Sequence, residues 1–244
     1  MTTAPATDQR RLLDVQALDT QLAKVAHARR SHPTLATLTE LAGRAEDLRR
    51  SSVLAESVVN DHRRAVAKAE ADVEQVRTRA QRDQGRLDSG AFGAKDSVAV
   101  MAELEQLARR QSVLEDVEIE AMEGLEGAEG ELSAIREQIA AIETQVAAAT
   151  AERDAAFTEL DAQLEDVTAR RGVAATGIDE ALLALYEKVR ASNGGLAVLG
   201  LRGIRTEPLQ LDLSLSEVSA IKAAPKDAVL RDEENGYILV RLDD

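Results

Sequence analysis

Along most of the chain apolar residues recur at alternating steps of three and four, the spacing that keeps one stripe of a helix turned toward a neighbour. From Leu41 the track runs through Ala45, Leu48, Ser52, Ala55, Val59, His62, Val66, Ala69, Val73, Val76, Ala80 and Asp83 to Leu87. A second track runs through Leu104, Leu107, Gln111, Leu114, Glu118, Ala121, Leu125, Ala128, Leu132, Ile135, Ile139, Ile142, Val146, Ala149, Arg153, Ala156, Leu160, Gln163 and Val167. Between them SGAFGAKDS, residues 89 to 97, breaks the period with two glycines, and Ser97 is placed to cap the next helix. Two helices joined by so short a turn fold back antiparallel. Residues 7–177 are therefore predicted to form a helical hairpin with its tip at 88–97 and arms of about 80 and 110 Å at the rise of an α-helix.

The ends of the chain follow other patterns. Residues 1–6 are small and polar with Pro5, and predict a disordered tail. A first helix runs from Thr7, a candidate N-cap, to Ser31 with Val15, Leu18, Leu22 and Val25 as its stripe, and Pro33 ends or kinks it. Residues 178–195 hold a short helix, IDEALLALYEKVRA, that stops at Asn193, Gly194 and Gly195. Then Leu209, Leu211, Leu213 and Leu215 alternate as in a strand. Ser216 caps a helical turn reaching Ala223, and AVLRDEENGYILVRL forms two strands around Asn235-Gly236. The fold class is mainly α, a long antiparallel coiled-coil hairpin with a small β-containing domain at 196–244.

Composition agrees with a core that is a seam. Phe92, Phe157, Tyr186 and Tyr237 are the only aromatics, and 30% of residues are charged. Residues 8–88 carry 15 basic and 13 acidic side chains, net +2, and residues 98–170 carry 5 and 18, net −13. Such arms suit complementary pairs flanking the seam, which select orientation more than they stabilise. Gly124, Gly127 and Gly130 interrupt the second arm either as a tolerated weak patch or as a bending point. Net charge −14 disfavours non-specific binding to a phosphate backbone. No run of about 18 apolar residues predicts a membrane span. The N-terminus lacks the pattern of a secretory signal, so the expected location is cytoplasmic. Without cysteine there is neither a disulfide nor a thiolate metal site.

Catalytic patterns are missing from the sequence: there is no phosphate loop, nucleophile elbow, paired-histidine motif or cysteine nucleophile. The chain is expected not to be an enzyme and to use no cofactor. His27, His32 and His62 stand apart, and His62 falls in a seam position where a polar residue sets register. The candidate site is the hairpin tip. Arg77, Arg79, Arg82 and Arg86 approach it on one arm, Lys95 lies in the turn, and Arg109 and Arg110 leave on the other. Phe92 sits at the apex. Two readings stand: Phe92 caps the hairpin while the arginines pair with Asp83, Asp88, Glu103 and Glu105, or Phe92 anchors a protein or RNA contact.

The tip segment LDSGAFGAKDSVAVMAELEQLARRQSVLEDVEIEAME, the helix with LYEKVR and the ending NGYILVRL together resemble the bacterial C4-type zinc ribbon proteins, especially their actinobacterial members, over almost the whole chain. The resemblance implies a C-terminal ribbon holding one zinc through two Cys-x-x-Cys knuckles. Laid on this sequence, those ligand positions fall on Arg202, Arg205, Asp232 and Asn235, none a zinc-ribbon ligand, so 196–244 is expected to be ribbon-like without zinc. Arg202 and Arg205 brought near Asp232 could form a charge cluster in place of the ion; the alternative is that these side chains are solvated. The resemblance implies adaptor-like proteins linked to an alternative sigma factor, to flagellar or type III export, and in one member to messenger RNA. A protein-binding scaffold is the expected function, and RNA- or ribosome-associated binding is the alternative. Residues 196–244, net −3 with one aromatic, supply little for nucleic acid. Polar seam positions leave homo-oligomerisation open.

Overall fold

The computed structural model of the protein describes residues 2–90 and 93–242. Its elements are α1 (Ala6–Arg30), α2 (Pro33–Asp88), α3 (Ala94–Ala175), α4 (Glu180–Ser192), β1 (Val198–Arg202), β2 (Arg205–Glu207), α5 (Leu215–Ala223), β3 (Leu230–Arg231) and β4 (Ile238–Arg241). The fold is mainly helical, a long helical hairpin with a small C-terminal sheet. The chain packs as two units, residues 36–150 and residues 1–35 together with 151–244.

In the unit 36–150, α2 and α3 pair antiparallel along the predicted stripes. Every position of the α2 track from Leu41 to Leu87 is buried or half-buried, His62 and Asp83 included. Leu41 and Ala45 pack with Ile142 and Ala149, and Val59 packs with Ala128 and Leu132. The seam takes polar residues because only one stripe of each helix is covered and their polar ends reach its margin. Ion pairs flank it: Arg63 to Glu129 at 2.6 Å, Arg136 to Glu56 at 2.6 Å and Arg77 to Glu115 at 3.4 Å. Their partners run in opposite order along the two helices, as antiparallel pairing requires.

The other unit has its own core, where Leu12 and Val15 of α1 meet Leu182, Tyr186 and Val189 of α4 and Val198, Ile238 and Val240 of the sheet. Strand order is β2-β1-β4-β3, antiparallel at the edges and parallel between β1 and β4. The parallel centre follows from α5 lying in the crossover between β2 and β3. The first four residues of β1 are buried, so no alternation marks it in sequence.

Several expectations are corrected. Residues 2–4 are held rather than disordered: Thr3 bridges Ala228, Ala4 N–H donates to Asp227 O at 2.8 Å, and Val229 N–H donates to Thr2 O at 2.9 Å. α1 begins at Ala6 behind Pro5 with no side-chain cap from Thr7. Pro33 opens α2, where the first turn needs no N–H from it. Ser97 lies inside α3 and donates to Gly93 O at 3.1 Å instead of capping. Near the base of α3, Gln163 is exposed and Leu164 is half-buried in its stead. The leucine alternation from Leu209 to Leu215 is not a strand. Leu211 N–H bonds Thr206 Oγ1 at 2.7 Å, outside any ladder. Ser214, not Ser216, caps α5 through a reciprocal capping box with Glu217.

Candidate functional site

The α2 stretch 77–86 holds four arginines and one carboxylate, Asp83. Because Arg79, Arg82 and Arg86 are spaced by three and four, they share one face of the helix. They line an open cleft of about 780 Å³ with Ala71, Glu74, Gln75, Thr78, Asp83 and Glu103, so three carboxylates balance the three arginines. Arg79 is bound by Glu103 and lies 3.9 Å from Asp83; Arg86 lies 4.0 Å from Asp83. Asp83, a seam residue with only 14% of its side chain exposed, thus draws two guanidiniums to the rim. Arg82 is exposed and has no ion pair among the described residues.

The other tip candidates stand outside this cleft. Lys95 is exposed in the first turn of α3, Arg110 is exposed, and exposed Arg109 lies 3.9 Å from Glu105. Phe92 lies outside the described residues. Asp88 accepts from Gln84 Nε2 at 2.7 Å. Pairing with Asp83, Glu103 and Glu105 therefore occupies Arg79, Arg86 and Arg109.

In the tail, Arg202 and Arg205 face each other across the Gly203-Ile204 turn of the β1–β2 hairpin, both exposed. Gly203 supplies the positive φ that turn requires. Asp232 sits at the opposite end of the sheet, because Val198 and Arg231 both pair with Ile238 while Leu201 pairs with Arg241. Among the described residues no ion pair joins Arg202 or Arg205 to Asp232, so the charge cluster does not form.

What closes the tail is hydrogen bonding. Buried Thr206 donates to Leu209 O at 2.7 Å while accepting from Leu211 N–H. Buried Asp232 accepts from Asn235 N–H at 2.8 Å and from Tyr237 N–H, closing the Asn235-Gly236 turn. Glu217 accepts from Ser214 N–H at 2.8 Å and Glu233 N–H at 3.1 Å. These bonds, that from Ser214 foremost, hold the Glu217 carboxyl below the usual carboxylate range. Sequence reasoning missed Thr206 and Glu217; the Ser214-x-x-Glu217 pattern was the available signal for the second.

A polar cluster also missed in sequence lies inside the same unit. Asp19 of α1, nearly buried, accepts from Tyr186 Oη at 2.6 Å and from Arg171 Nε at 3.2 Å, and Arg190 Nε lies 3.7 Å away. Glu187 binds both arginines. Burial, then the bond to Asp19, raises the Tyr186 phenol far above its ordinary range and keeps it neutral. Among the described residues no group of three His, Cys, Asp or Glu stands together as a metal site, and no helix is long and apolar enough to cross a membrane.

Residues 15–194 match the model of the CT398-like coiled coil hairpin domain. The chain is 30% identical over 240 residues to an uncharacterised protein of Mycobacterium tuberculosis, covering 98% of each. Among solved structures it is similar to a Mycobacterium smegmatis protein, at 33% identity and TM-score 0.85 over 98% of this chain and all of the other. CT398 from Chlamydia trachomatis shares the fold at 15% identity and TM-score 0.69, over 96% of this chain and 98% of its own.

Proposed function

Because the chain belongs to the CT398-like coiled coil hairpin family, we propose that it is a non-enzymatic adaptor, working in the cytoplasm, that binds protein partners through the hairpin and its C-terminal domain. The observation that carries this reading is the surface of the unit 36–150. With the seam satisfied, that unit still exposes Val53, Leu54, Val113, Val117, Ile119 and Met122, each by about half or more. Of these, Ile119 and Met122 line one open groove with Val66 and Leu125, and grouped apolar surface of that kind marks contact sites. The 13 net negative charges of residues 98–170 weigh against RNA as the main ligand.

The tail is a metal-free counterpart of a zinc ribbon in this reading. Arg202 and Arg205 stand at the opposite end of the sheet from Asp232 and Asn235, so the four positions converge on no single ion, and the bonds of Thr206, Asp232 and Glu217 support closure without one. Affinity purification from the native host with mass spectrometry, comparing the full chain with one ending at Asn193, tests the adaptor reading. Specific proteins recovered by the full chain, a subset of them lost on truncation, support it. Recovery of RNA-dependent material alone, abolished by nuclease, overturns it.

A further inference from the structure

We propose that the groove floored by Val66 and Leu125 binds a basic amphipathic helix of a protein partner, with the helix's apolar stripe against Ile119 and Met122 and its cations on the glutamates around them. The inference rests on the adaptor reading and names the chemistry of the partner. The groove is open, about 400 Å³, and lies between α2 and α3. Val66 and Leu125 are half-buried, while Ile119 and Met122 stand 55% and 52% exposed. Ile119, Met122, Glu126 and Glu129 follow at steps of three and four, so they share one face of α3. From Ile119 to Glu129 that face runs about 15 Å, and a trough of this kind seats a helix through anchors at i, i+3 and i+4. Met122 supplies an unbranched side chain that adapts its shape to what it meets.

Charge complementarity selects the occupant. Between Arg110 and Arg136, α3 carries eight Asp and Glu and no Lys or Arg. It pairs there with α2 from Val59 to Arg77, a stretch with four basic and four acidic residues, so the excess is left uncompensated. The groove itself is lined by Glu123, Glu126 and Glu129 and by no cation. Arg63 binds Glu129 at 2.6 Å, but Glu123 and Glu126 are exposed without an ion pair among the described residues. That field repels an acidic helix, a phosphate backbone or an anionic membrane surface. A second copy, itself of net charge −14, is disfavoured for the same reason. A helix with lysines or arginines beside an apolar stripe matches both features at once. Burial of its stripe holds it, and the glutamates steer and orient it.

Fluorescence anisotropy on the full chain tests this with a fluorescein-labelled helical peptide of Ala-Lys-Lys-Leu repeats. Two companions run beside it, one with alanine in place of leucine and one with glutamate in place of lysine. The first peptide is expected to bind at low salt, the leucine-free one at least about fivefold more weakly, and the glutamate one not to bind. Glu126→Lys should weaken the first peptide by roughly tenfold and Met122→Ala by roughly fivefold. Glu143→Lys and Leu54→Ala, matched changes at exposed positions outside the groove, should each alter it less than about twofold. Circular dichroism verifies that each variant keeps its helices, and Glu126→Gln replaces Glu126→Lys if the reversal unfolds the chain. No binding of the first peptide, equal loss in Glu126→Lys and Glu143→Lys, or binding unmoved by Met122→Ala each overturns the proposal. So does a change of oligomeric state in Met122→Ala by light scattering, which assigns the groove to a second copy. Failure here leaves the adaptor reading standing, since partner recovery decides that.

Discussion

Gly124 lies against His62: a Cβ built on it would fall 2.9 Å from His62 Cε1 and Nδ1. The three glycines of α3 are thus not equivalent, since an added Cβ at Gly127 or Gly130 meets nothing within 4 Å. Gly127→Ala and Gly130→Ala should each stabilise the chain by about 1 kcal/mol through helix propensity alone. Gly124→Ala should lose that gain to displacement of the His62 ring and recover it in a His62→Ala background. A double-mutant cycle by urea denaturation reads the coupling. At the same scale, Asp232→Ala strands the N–H groups of Asn235 and Tyr237 and should cost about 1 to 3 kcal/mol. The seam role of His62 was legible from its heptad position; the glycine opposite was not, because the pairing level of two arms is a tertiary fact.

Among the elements, the Asp19 cluster joins α1, α3 and α4 through one carboxylate. Tyr186→Phe removes one donor from Asp19 and should lower stability by about 1 to 2 kcal/mol. Asp19→Ala should fall toward the low end of the about 3 to 5 kcal/mol typical of a broken buried pair, because Arg171 and Arg190 retain Glu187. Urea midpoints check both. For α5 the prediction concerns pH. The folded pKa of Glu217 is depressed, so its contribution is present above the unfolded carboxylate value and is lost as pH falls through the lower folded one. Acidification should therefore lower the protection of the Glu233 amide, its exchange taken relative to the intrinsic rate at each pH, and Glu217→Gln should remove that change in protection. α5 itself was legible in part: the helix to Ala223 was expected, but the leucine alternation drew its start too late. Alternation favours a strand only where the backbone has a ladder to join, and Leu211 spends its N–H on Thr206.

In the molecule as a whole, the first residues and the tail are one structure. Gln9 Nε2 donates to Ala4 O and to Asp227 O, and Gln16 Oε1 accepts from Ala197 N–H at 2.7 Å. Deleting residues 2–4 should lower Tm by about 2 to 4 °C for each kcal/mol lost, measured by calorimetry. The sequence by itself determined the helices, the seam and the final hairpin at Asn235-Gly236. Those depend on periods of three and four residues and on turn chemistry within a few positions. Only the tertiary structure decided that Thr2 meets Val229, that Asp19 meets Tyr186, and that Arg202 and Arg205 stand away from Asp232. Those outcomes turn on hydrogen bonds and strand register between distant residues, which no local pattern encodes.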